Sequence, residues 1–468
     1  MNKIQIGKQE VIHFIGIGGI GMSGLAQIMK TMGFNVQGSD LSENKNTDNC
    51  KKLGIKISKG HSRNNILNAT IIVKSSAIKK NNIELLHSKK NKIPSYDRIE
   101  MLANIIDLKK NIIITGSHGK TTTTSLVAKI ISTARLDPTI INGGVINSLK
   151  NNAKLGKGEW AIVEADESDG SFLKVPINYS IVTNVDKEHL DFYKNLKNLI
   201  DAFIKFIEKT PPIGKAFLCL DDLYIKKILK KLKTKNYFTY GFDKNSNYQI
   251  CNPKYSISNT KFDLKIKNIG SRKLHIKNIS LKLIGKYNVL NATAAIGLCL
   301  NLGLKIKIIK KALKNFSGVQ RRLTKVFTKN KVEFYDDYAH HPTEIKSVLE
   351  AVRKVAPERK IITVFQPHRY SRVRTLKSEF ASCFKNTDQL ILCPVYAAGE
   401  SIDKKYNQIK FAKSISIFSK TQVIIIKDEL DILKYFKKNL IYDEVVLGMG
   451  AGSISKWMYN LKSNLCKS

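Results

Sequence analysis

The sequence lacks the cysteine and histidine patterns that mark zinc sites, redox pairs and zinc proteases. Its seven cysteines form no C-x-x-C pair, and its nine histidines include no H-E-x-x-H or zinc-finger spacing. The cysteines lie at positions 50, 219, 251, 299, 383, 393 and 466. Because nothing suggests a disulfide framework, we expect a protein of the reducing cytosol and a cytoplasmic location.

A long, uninterrupted apolar segment is also missing. The best candidate, residues 11–29, contains nineteen uncharged residues, which is long enough to raise the question of a membrane anchor. However, this segment includes five glycines together with a His, a Ser and a Gln, and it lacks dense Leu and Val content. No A-x-A-like cleavage site with a basic region precedes it. A membrane anchor is therefore the minor alternative, and we expect no membrane partner.

Acidic residues are scarce, since 38 Asp and Glu stand against 79 Lys and Arg, and the formal net charge is +41. A clustered excess of this size would predict binding to nucleic acid or to an anionic surface. Here the charge is spread along the chain, and only 11 of the basic residues are Arg. That pattern is typical of an AT-rich coding sequence, although "KKILKKLKTK" could form a basic binding face. We expect no nucleic-acid partner, and a basic binding module is the non-enzymatic alternative.

The first glycine-rich segment predicts a nucleotide-binding turn. "VIHFIGIG" predicts a buried strand, and Gly16, Gly18 and Gly21 follow the G-x-G-x-x-G spacing. "MSGLAQIMKTMG" then predicts a helix that ends at Gly33. "FNVQGSD" predicts a second strand ending at Asp40, where dinucleotide enzymes have an acid that binds ribose. By itself, this pattern is typical of an NAD-dependent oxidoreductase.

A second turn, of a different kind, follows an Ile-rich strand. "NIIITGSHGKTTTTSLVAKIISTA" contains Gly116, Gly119, Lys120 and Thr121 between that strand and a helix. The turn is two residues shorter than the usual P-loop, but it supplies helix N-terminal N–H groups, a Lys for phosphates and a hydroxyl for Mg²⁺. An ordinary glycine turn is the alternative. The flanking strand and helix favour nucleotide binding.

Two further predicted strands end in polar residues. "WAIVEADESD" ends its apolar run at Glu164, and "YSIVTNVDKEHLD" ends at Asn184 with His189 shortly after. Because ligands gather at the carboxyl ends of strands in open α/β sheets, we expect these residues near Lys120. Mg²⁺ prefers oxygen ligands, so His189 is the unusual candidate and a structural role is its alternative.

The segment "GKYNVLNATAAIGLCLNLG" predicts a helix with Asn288 and Asn291 on one face. An Asn amide can bind adenine at N6 and N7. Helix capping by Asn288 is an equally good interpretation of this stretch.

From residue 331 onward the alternation of strands and helices restarts. The predicted strands are "KVEFY", "IITVF", "QLILC", "TQVIII" and "EVVLGM". Three of them run into the polar clusters "DDYAHHPTE", "QPHRYSR" and "PVYAAGE". There, His340, His341, Arg369 and Arg372 are candidates to bind a metal, an anion or nucleic acid, and anion binding fits Arg best.

These patterns together predict an α/β protein of three domains, as the length of 468 residues also favours. The N-terminal domain, residues 1–107, would be Rossmann-like. Residues 108–320 would form a central α/β domain of the P-loop ATPase type, and residues 321–468 a second Rossmann-like domain.

Five motifs, in this order, resemble those of the Mur ligases of peptidoglycan synthesis: "HFIGIGGIGMSG", "GSHGKTTTTSL", "EADESDGSF", "DDYAHHPTE" and "FQPHRYSR". The resemblance runs from His13 to "GMGAGSI" near Gly448. It implies an ATP-dependent ligase that forms an amide bond through an acyl phosphate. The last two motifs are most similar to those of the enzymes that join L-alanine to the carboxylate of UDP-N-acetylmuramate. Murein peptide ligases, which share the first motifs, are the alternative.

The resemblance also implies roles for individual residues. The uridine diphosphate of the sugar substrate would be bound by Gly16, Gly18, Gly19, Gly21, His61, Ser75, Ser76 and Arg98. ATP would be bound by Gly116, Ser117, His118, Gly119, Lys120, Thr121 and Thr122, and its adenine by Asn288 and Asn291. Mg²⁺ would be held by Thr121, Glu164 and His189. Alanine would be bound by His340, Arg369 and Arg372. The implied catalytic residues are Lys120, Glu164, His189, Arg322 and Asp337.

Three positions depart from the family's usual residues. Ser117 stands in place of Thr and keeps the hydroxyl, Glu188 stands in place of Asp, and Tyr287 stands in place of the His before the adenine-binding Asn. An oxidoreductase would leave "GSHGKTTTT" without a role, whereas a ligase needs both turns.

Overall fold

The computed structural model describes residues 6–257, 259–269 and 272–465. These residues form an α/β structure with three sheets of five, ten and six strands. The predicted α/β class is therefore confirmed. The six cysteines in the described ranges are all free thiols, and Cys466 lies outside those ranges.

The first sheet carries the first glycine turn. Its strands are β1 (Val11–Ile15), β2 (Asn35–Asp40), β3 (Lys56–Lys59), β4 (Ile71–Lys74) and β5 (Ser95–Asp97), in the order β3-β2-β1-β4-β5. Its helices are α1 (Ile20–Thr31), α2 (Lys45–Lys52), α3 (Ile83–Lys90) and α4 (Arg98–Ile106). All strand pairs are parallel. The strand order reverses at β1, so the turn after β1 lies where open α/β sheets bind ligands.

The second sheet carries the second turn. Its strands are β6 (Lys110–Thr115), β7 (Thr139–Ile146), β8 (Asn151–Lys154), β9 (Trp160–Glu164), β10 (Tyr179–Val182), β11 (Ala216–Cys219), β12 (Tyr237–Gly241), β13 (Tyr248–Tyr255), β14 (Thr260–Ile269) and β15 (Arg272–Leu281). The order is β15-β14-β13-β12-β11-β10-β6-β9-β7-β8. Its helices are α5 (Lys120–Thr133), α6 (Leu190–Tyr193), α7 (Leu196–Glu208), α8 (Leu223–Leu229), α9 (Lys286–Asn301) and α10 (Ile306–Lys314).

Strand β6 lies between β10 and β9, and both pairs are parallel. The carboxyl ends of these three strands therefore meet at one edge of the sheet. The sequence predicted these strands and helices α5 and α9, and the structure confirms them. It did not predict the other strands of this sheet, which are β7, β8 and β11 to β15.

The third sheet contains the five strands predicted after residue 331 and one further strand. They are β16 (Thr324–Lys329), β17 (Val332–Asp337), β18 (Ile361–Phe365), β19 (Gln389–Leu392), β20 (Gln422–Ile425) and β21 (Val445–Met449), in the order β16-β17-β21-β18-β19-β20. Only β16, which was not predicted, pairs antiparallel in this sheet as described. Its helices are α11 (Pro342–Val355), α12 (Tyr370–Thr375), α13 (Lys377–Ser382), α14 (Gln408–Ser419), α15 (Glu429–Asn439) and α16 (Ile454–Leu465).

The chain divides into two compact units. The first runs to residue 253 and includes 262–280 and 290–317, and the second includes 254–261, 281–289 and the chain from 318 on. The first two sheets thus share one unit, although the sequence places a domain boundary at 107/108. Both that boundary and the one at 320/321 stay predictions.

Helix α1 joins the first two sheets because it packs against β7 and β8. Gly24 allows this close approach, since a Cβ there would lie 2.9 Å from Asn152 Nδ2. Asn152 Nδ2 donates to the Ile20 carbonyl at 2.7 Å, and Asn151 Nδ2 donates to Gln27 Oε1 at 2.7 Å. Hydrogen bonds and close packing therefore fix the first sheet on the second.

The uncharged run at residues 11–29 is not a membrane span. It is divided between β1, the glycine turn and α1, which has only 12 residues. Among the residues that the structure describes, no helix combines the length and the apolar character needed to cross a bilayer.

Candidate active site

The loop between β6 and α5 depends on two glycines with positive φ. Gly116 has φ +127° and Gly119, at the N-cap of α5, has φ +80°. A Cβ at Gly116 would lie 2.3 Å from Thr183 Oγ1, and one at Gly119 would lie 2.7 Å from Asn291 Oδ1. Side chains are therefore excluded on both sides of the loop. The N–H groups of the first turn of α5, which includes Thr121 and Thr122, are left to bind an anion.

The loop is tied to the segment that follows β10. Asn184 accepts hydrogen bonds from the N–H groups of Ser117 (3.0 Å) and His118 (2.8 Å). Ser117 Oγ accepts from Asp186 N at 2.8 Å, and His118 Nε2 lies 3.0 Å from Asp186 Oδ2. Ser117 thus uses the hydroxyl that the family's usual Thr would supply, and this departure leaves the loop intact.

Lys120 makes an ion pair with a carboxylate that the sequence analysis did not single out. Its Nζ donates to Glu167 Oε2 at 2.8 Å and to the Gly116 carbonyl at 2.7 Å. The Glu167 side chain is completely buried and that of Lys120 is 16% exposed. Burial disfavours the ammonium, but the carboxylates of Glu167, Asp166 and Glu164 outweigh it and raise the pKa of Lys120. Lys120 is therefore charged and lies folded onto its own loop.

Of the three predicted metal ligands, Thr121 and Glu164 contact each other, whereas His189 lies near Glu167. Thr121 Oγ1 donates to Glu164 Oε1 at 3.1 Å, and Gly143 N donates to Glu164 Oε2 at 2.7 Å. His189, whose φ is +57°, lies with its Nε2 3.7 Å from Glu167 Oε1. Asp166, Glu167 and His189 offer ligand atoms within 4.8 Å of one another. This donor set of carboxylates, a hydroxyl and one imidazole fits a divalent cation.

The glycine turn after β1 is organised by the carboxylate at the end of β2. Gly18 N donates to Asp40 Oδ2 at 2.8 Å, while Gly16 N donates to the Ser39 carbonyl at 2.8 Å. Gly19 is the N-cap of α1. Asp40 therefore binds the turn itself, which is a different use from the ribose contact that an NAD-dependent enzyme would need.

Two other predicted substrate residues also lie at this turn. A Cβ at Gly21 would lie 3.2 Å from Arg98 Nη1, so the missing side chain makes room for the guanidinium. A Cβ at Gly16 would lie 3.3 Å from Ser75 Cβ, and Ser76 follows directly after β4. The structure thus brings Arg98 and Ser75 to the turn. His61 is connected to the turn through Ser39, whose Oγ lies 3.1 Å from His61 Nδ1.

In the second unit, Asp337 ends β17 and lies almost fully buried. It accepts hydrogen bonds from Leu323 N (2.6 Å) and Ala339 N (2.8 Å). Burial raises its pKa to about 6, although Arg322 opposes the shift. Arg322 Nη1 lies 3.8 Å from Glu344 Oε1, and its guanidinium lies over the Tyr338 ring. Asp337 therefore fixes the segment that carries Arg322.

The adenine candidates lie within α9, with Asn288 inside its first turn. Asn288 is not the N-cap, because the helix begins at Lys286, and its Nδ2 donates to the Ile284 carbonyl at 2.8 Å. In the second unit, Asn288 and Arg322 line a cavity of about 100 Å³. Tyr287 packs against the hydrophobic core of this unit, which accounts for an aromatic ring at this position.

The strand ends of β17 and β18 bring an imidazole pair and an arginine together. The His340 and His368 rings are 5.7 Å apart, and Arg372 Nη1 lies 3.1 Å from His368 Nδ1. His368, which the sequence analysis did not list as a site residue, also stacks on Tyr396. Arg369 has φ +68°, and its N–H donates to the Tyr396 carbonyl.

Burial, with His340, Arg372 and Arg369 nearby, lowers the pKa of His368 to about 3. Its ring is therefore neutral, and because Arg372 donates to Nδ1, its proton resides on Nε2. The guanidinium of Arg372 keeps further N–H groups besides the one on Nδ1, and a planar fork of this kind is suited to a carboxylate. His341, by contrast, is the N-cap of α11, where it accepts from Thr343 N.

Family models of the Mur ligases match most of the chain. Residues 11–110 match the Mur ligase family catalytic domain, residues 114–299 the Mur ligase middle domain, and residues 321–452 the Mur ligase glutamate ligase domain. The three-domain architecture predicted from the sequence is thereby confirmed.

Full-length relatives and solved structures agree with these matches. The UDP-N-acetylmuramate–L-alanine ligase of Pelagibacter ubique is 54% identical over 98% of this chain and 99% of that protein. The protein of the same name from Bartonella tribocorum is 40% identical over 97% of this chain and 96% of its own length. The crystal structure of UDP-N-acetylmuramate–alanine ligase from Thermotoga maritima gives a TM-score of 0.83 at 29% identity and covers 97% of this chain and 99% of that one.

A murein peptide ligase from Psychrobacter arcticus has a TM-score of 0.72 at 20% identity and covers 97% of this chain and 98% of that one, a likeness of fold alone. The sequence matches the same family along nearly its whole length. The matched residues include both glycine turns, the Lys120–Glu167 ion pair, and Arg369 with Arg372. This chain belongs to the Mur ligase family.

Proposed function

We propose that this enzyme joins L-alanine to the carboxylate of UDP-N-acetylmuramate with hydrolysis of ATP to ADP and phosphate, in peptidoglycan precursor synthesis. The single observation that carries the proposal is the full-length match at 54% identity to a ligase of that name. The site residues fit the reaction. The alternative of a murein peptide ligase has only a likeness of fold in its favour.

The reaction needs a leaving group on the sugar carboxylate, because a free carboxylate is a poor electrophile. Transfer of the γ-phosphoryl group from ATP makes an acyl phosphate, and the alanine amine then attacks the carbonyl carbon and displaces phosphate. Lys120, whose charge the surrounding carboxylates stabilise, would stabilise the transferring phosphoryl group. The first turn of α5 would bind the β- and γ-phosphates through its N–H groups.

Mg²⁺, when bound, would neutralise charge on the phosphates and orient them for transfer. Thr121 and Glu164 would hold it, with His189 alongside and with Asp166 and Glu167 within reach of the same cation. In this proposal, ATP is the phosphoryl donor and Mg²⁺ is the metal cofactor bound to its phosphates. Both are compatible with the cytoplasmic location expected from the sequence.

The domain boundaries follow the three sheets in this proposal. Residues 1–107 would bind the sugar nucleotide through the glycine turn, residues 108–320 ATP, and residues 321–468 alanine. Asn288 and Asn291 would bind adenine, and Arg322 and Asp337 would contact or orient the nucleotide. His340, Arg369 and Arg372 would surround the alanine carboxylate and amine.

Phosphate release from ATP tests the proposal directly. We expect release only when UDP-N-acetylmuramate and L-alanine are both present, with formation of the alanyl product by mass. Each candidate amino acid, including glycine and serine, is added in turn. Hydrolysis that needs neither co-substrate, or product formed only with a tripeptide in place of alanine, would contradict the alanine ligase.

Replacement of Arg372 by lysine is expected to raise the KM for alanine at least about tenfold, which corresponds to roughly 1.4 kcal/mol. A lysine supplies one point charge in place of a planar fork, and it loses the contact with His368 Nδ1. Steady-state kinetics with each substrate varied in turn measures the effect, and the KM values for ATP and the sugar nucleotide should stay unchanged.

Arg374→Lys is the matched control, because Arg374 lies on the same short helix but is 73% exposed and pairs with Asp403. It should leave all three KM values unchanged. An unaltered alanine KM in Arg372→Lys, or an equal rise for all three substrates, would remove Arg372 from the alanine site.

A further inference from the structure

Glu84, in the first turn of α3, is a fully buried carboxylate that has no role in the site as predicted from the sequence. Ser39 Oγ donates to its Oε2 at 2.6 Å, and Asn65 Nδ2 donates to its Oε1 at 2.6 Å. His61 Nδ1 lies 3.1 Å from Oε2, and His13 Nε2 lies 3.5 Å from it. Burial raises the pKa of Glu84, but these hydrogen bonds outweigh it and lower the pKa to about 2. The carboxylate is ionised.

An ionised carboxylate accepts hydrogen bonds and donates none, so it decides which nitrogen of a neighbouring imidazole carries the proton. His61 Nδ1 faces Glu84 Oε2, and the Ser39 hydroxyl already gives its own proton to the same oxygen. His61 must therefore carry its proton on Nδ1. In a neutral ring, the remaining nitrogen, Nε2, is then a hydrogen-bond acceptor.

The same carboxylate is connected to the glycine turn. Ser39, whose side chain donates to Glu84, accepts hydrogen bonds through its carbonyl from Gly16 N (2.8 Å) and Ile17 N (3.0 Å). One buried group thus orients both the imidazole of His61 and the strand end that holds the turn. The His61 side chain keeps 12% of its surface exposed, whereas Glu84 has none. Glu84 can therefore act on a ligand only through its neighbours.

We propose that Glu84 is a positioning residue of the sugar-nucleotide site, which presents Nε2 of His61 as an acceptor to a hydrogen-bond donor of the uridine moiety. This inference rests on the proposed function, because a uridine nucleotide is what the turn would bind. Uridine offers two kinds of donor: the imide N–H of uracil and the ribose hydroxyls. In the opposite tautomer, Nε2 of His61 would carry the proton. It would then be a donor facing the donor of uridine, and no hydrogen bond could form.

Glu84→Gln tests the proposal, because glutamine has nearly the same shape but can donate from its amide to His61 Nδ1 and so favour the other tautomer. We expect the KM for UDP-N-acetylmuramate to rise at least tenfold, with the KM values for ATP and alanine unchanged. In a His61→Ala background, the same substitution should change that KM less than twofold. Asp48→Asn, which removes an exposed carboxylate from the first turn of α2, is the control and should change nothing.

Two measurements on the unaltered protein keep the proposal testable if Glu84→Gln does not fold. Nitrogen-15 spectra of labelled histidine should show His61 protonated at Nδ1. Calorimetry should show UDP binding more tightly than at least one of 3-methyl-UDP, 2′-deoxy-UDP and 3′-deoxy-UDP, and the analogue that binds more weakly identifies the donor.

A neutral His61 ring protonated at Nε2, equal binding of UDP and all three analogues, or additive effects of Glu84→Gln and His61→Ala would overturn the role of Glu84. Failure of the proposed function is a different result. In that case the unaltered enzyme would neither bind UDP nor release phosphate with UDP-N-acetylmuramate and alanine.

Discussion

Lys120→Ala is expected to lower kcat about a thousandfold, which corresponds to roughly 4 kcal/mol of transition-state stabilisation. The lost ammonium would lie against the phosphoryl group as it transfers, where charge stabilisation contributes most to this class of reaction. Phosphate release at saturating substrates measures kcat. The substitution also leaves Glu167 buried without its partner, which costs roughly 3–5 kcal/mol of stability.

A second variant separates the catalytic loss from this loss of stability. Lys120→Met combined with Glu167→Gln removes both charges of the pair, so its melting temperature should recover while kcat stays low. Lys129→Ala, further along the same helix, is the control and should keep the activity of the unaltered enzyme. Recovery of turnover in the double variant would show that Lys120 only neutralises Glu167.

Glu164→Gln is expected to raise the Mg²⁺ concentration at half-maximal activity at least about tenfold and to lower kcat about a hundredfold, or roughly 2.7 kcal/mol. A carboxylate oxygen that contacts the Thr121 hydroxyl would become a neutral amide, which is a weaker ligand for a hard cation. Titration of activity with Mg²⁺ at fixed ATP measures both effects.

Asp169→Asn is the matched control for this variant. Asp169 lies on the same loop after β9, but its Oδ1 accepts a hydrogen bond from Ser171 N and belongs to a local turn. It should shift neither the Mg²⁺ titration nor kcat. An unchanged titration in Glu164→Gln would mean that Glu164 serves only to hold Gly143 and Thr121 in place.

The sequence predicted those parts of the fold whose pattern is local. β1, β6 and β9 are apolar runs that end in glycines or acids, and the structure confirms each of them. β13 to β15 alternate apolar residues with Lys and Asn residues and contain no continuous apolar run. β16 is an edge strand with a single buried residue. Their strand character depends on pairing with neighbours, which a local pattern does not reveal.

The site was predictable where a residue follows a strand end, as with Glu164. Glu167 was missed although it lies in the same "EADESDG" segment, because the apolar run of the strand gives no reason to choose the second Glu. Its complete burial against Lys120 is a property of the folded chain. His368 was missed for a similar reason: burial is the main cause of its lowered pKa, with His340 and Arg372 adding to it, and burial is a property of the folded chain. Glu84 lies on a helix remote in sequence from the turn it supports.

The packing of α1 on β8 also limits which segments can be exchanged between this enzyme and its relatives by recombination. Gly24 admits Asn152 only because it has no side chain, and the two asparagines of β8 bond to groups of α1. A recombination that joined the first sheet of one relative to the second sheet of another would have to keep both surfaces matched. We therefore expect domain shuffling to transfer residues 6–154 as one inherited block, with natural crossovers rare between α1 and β8.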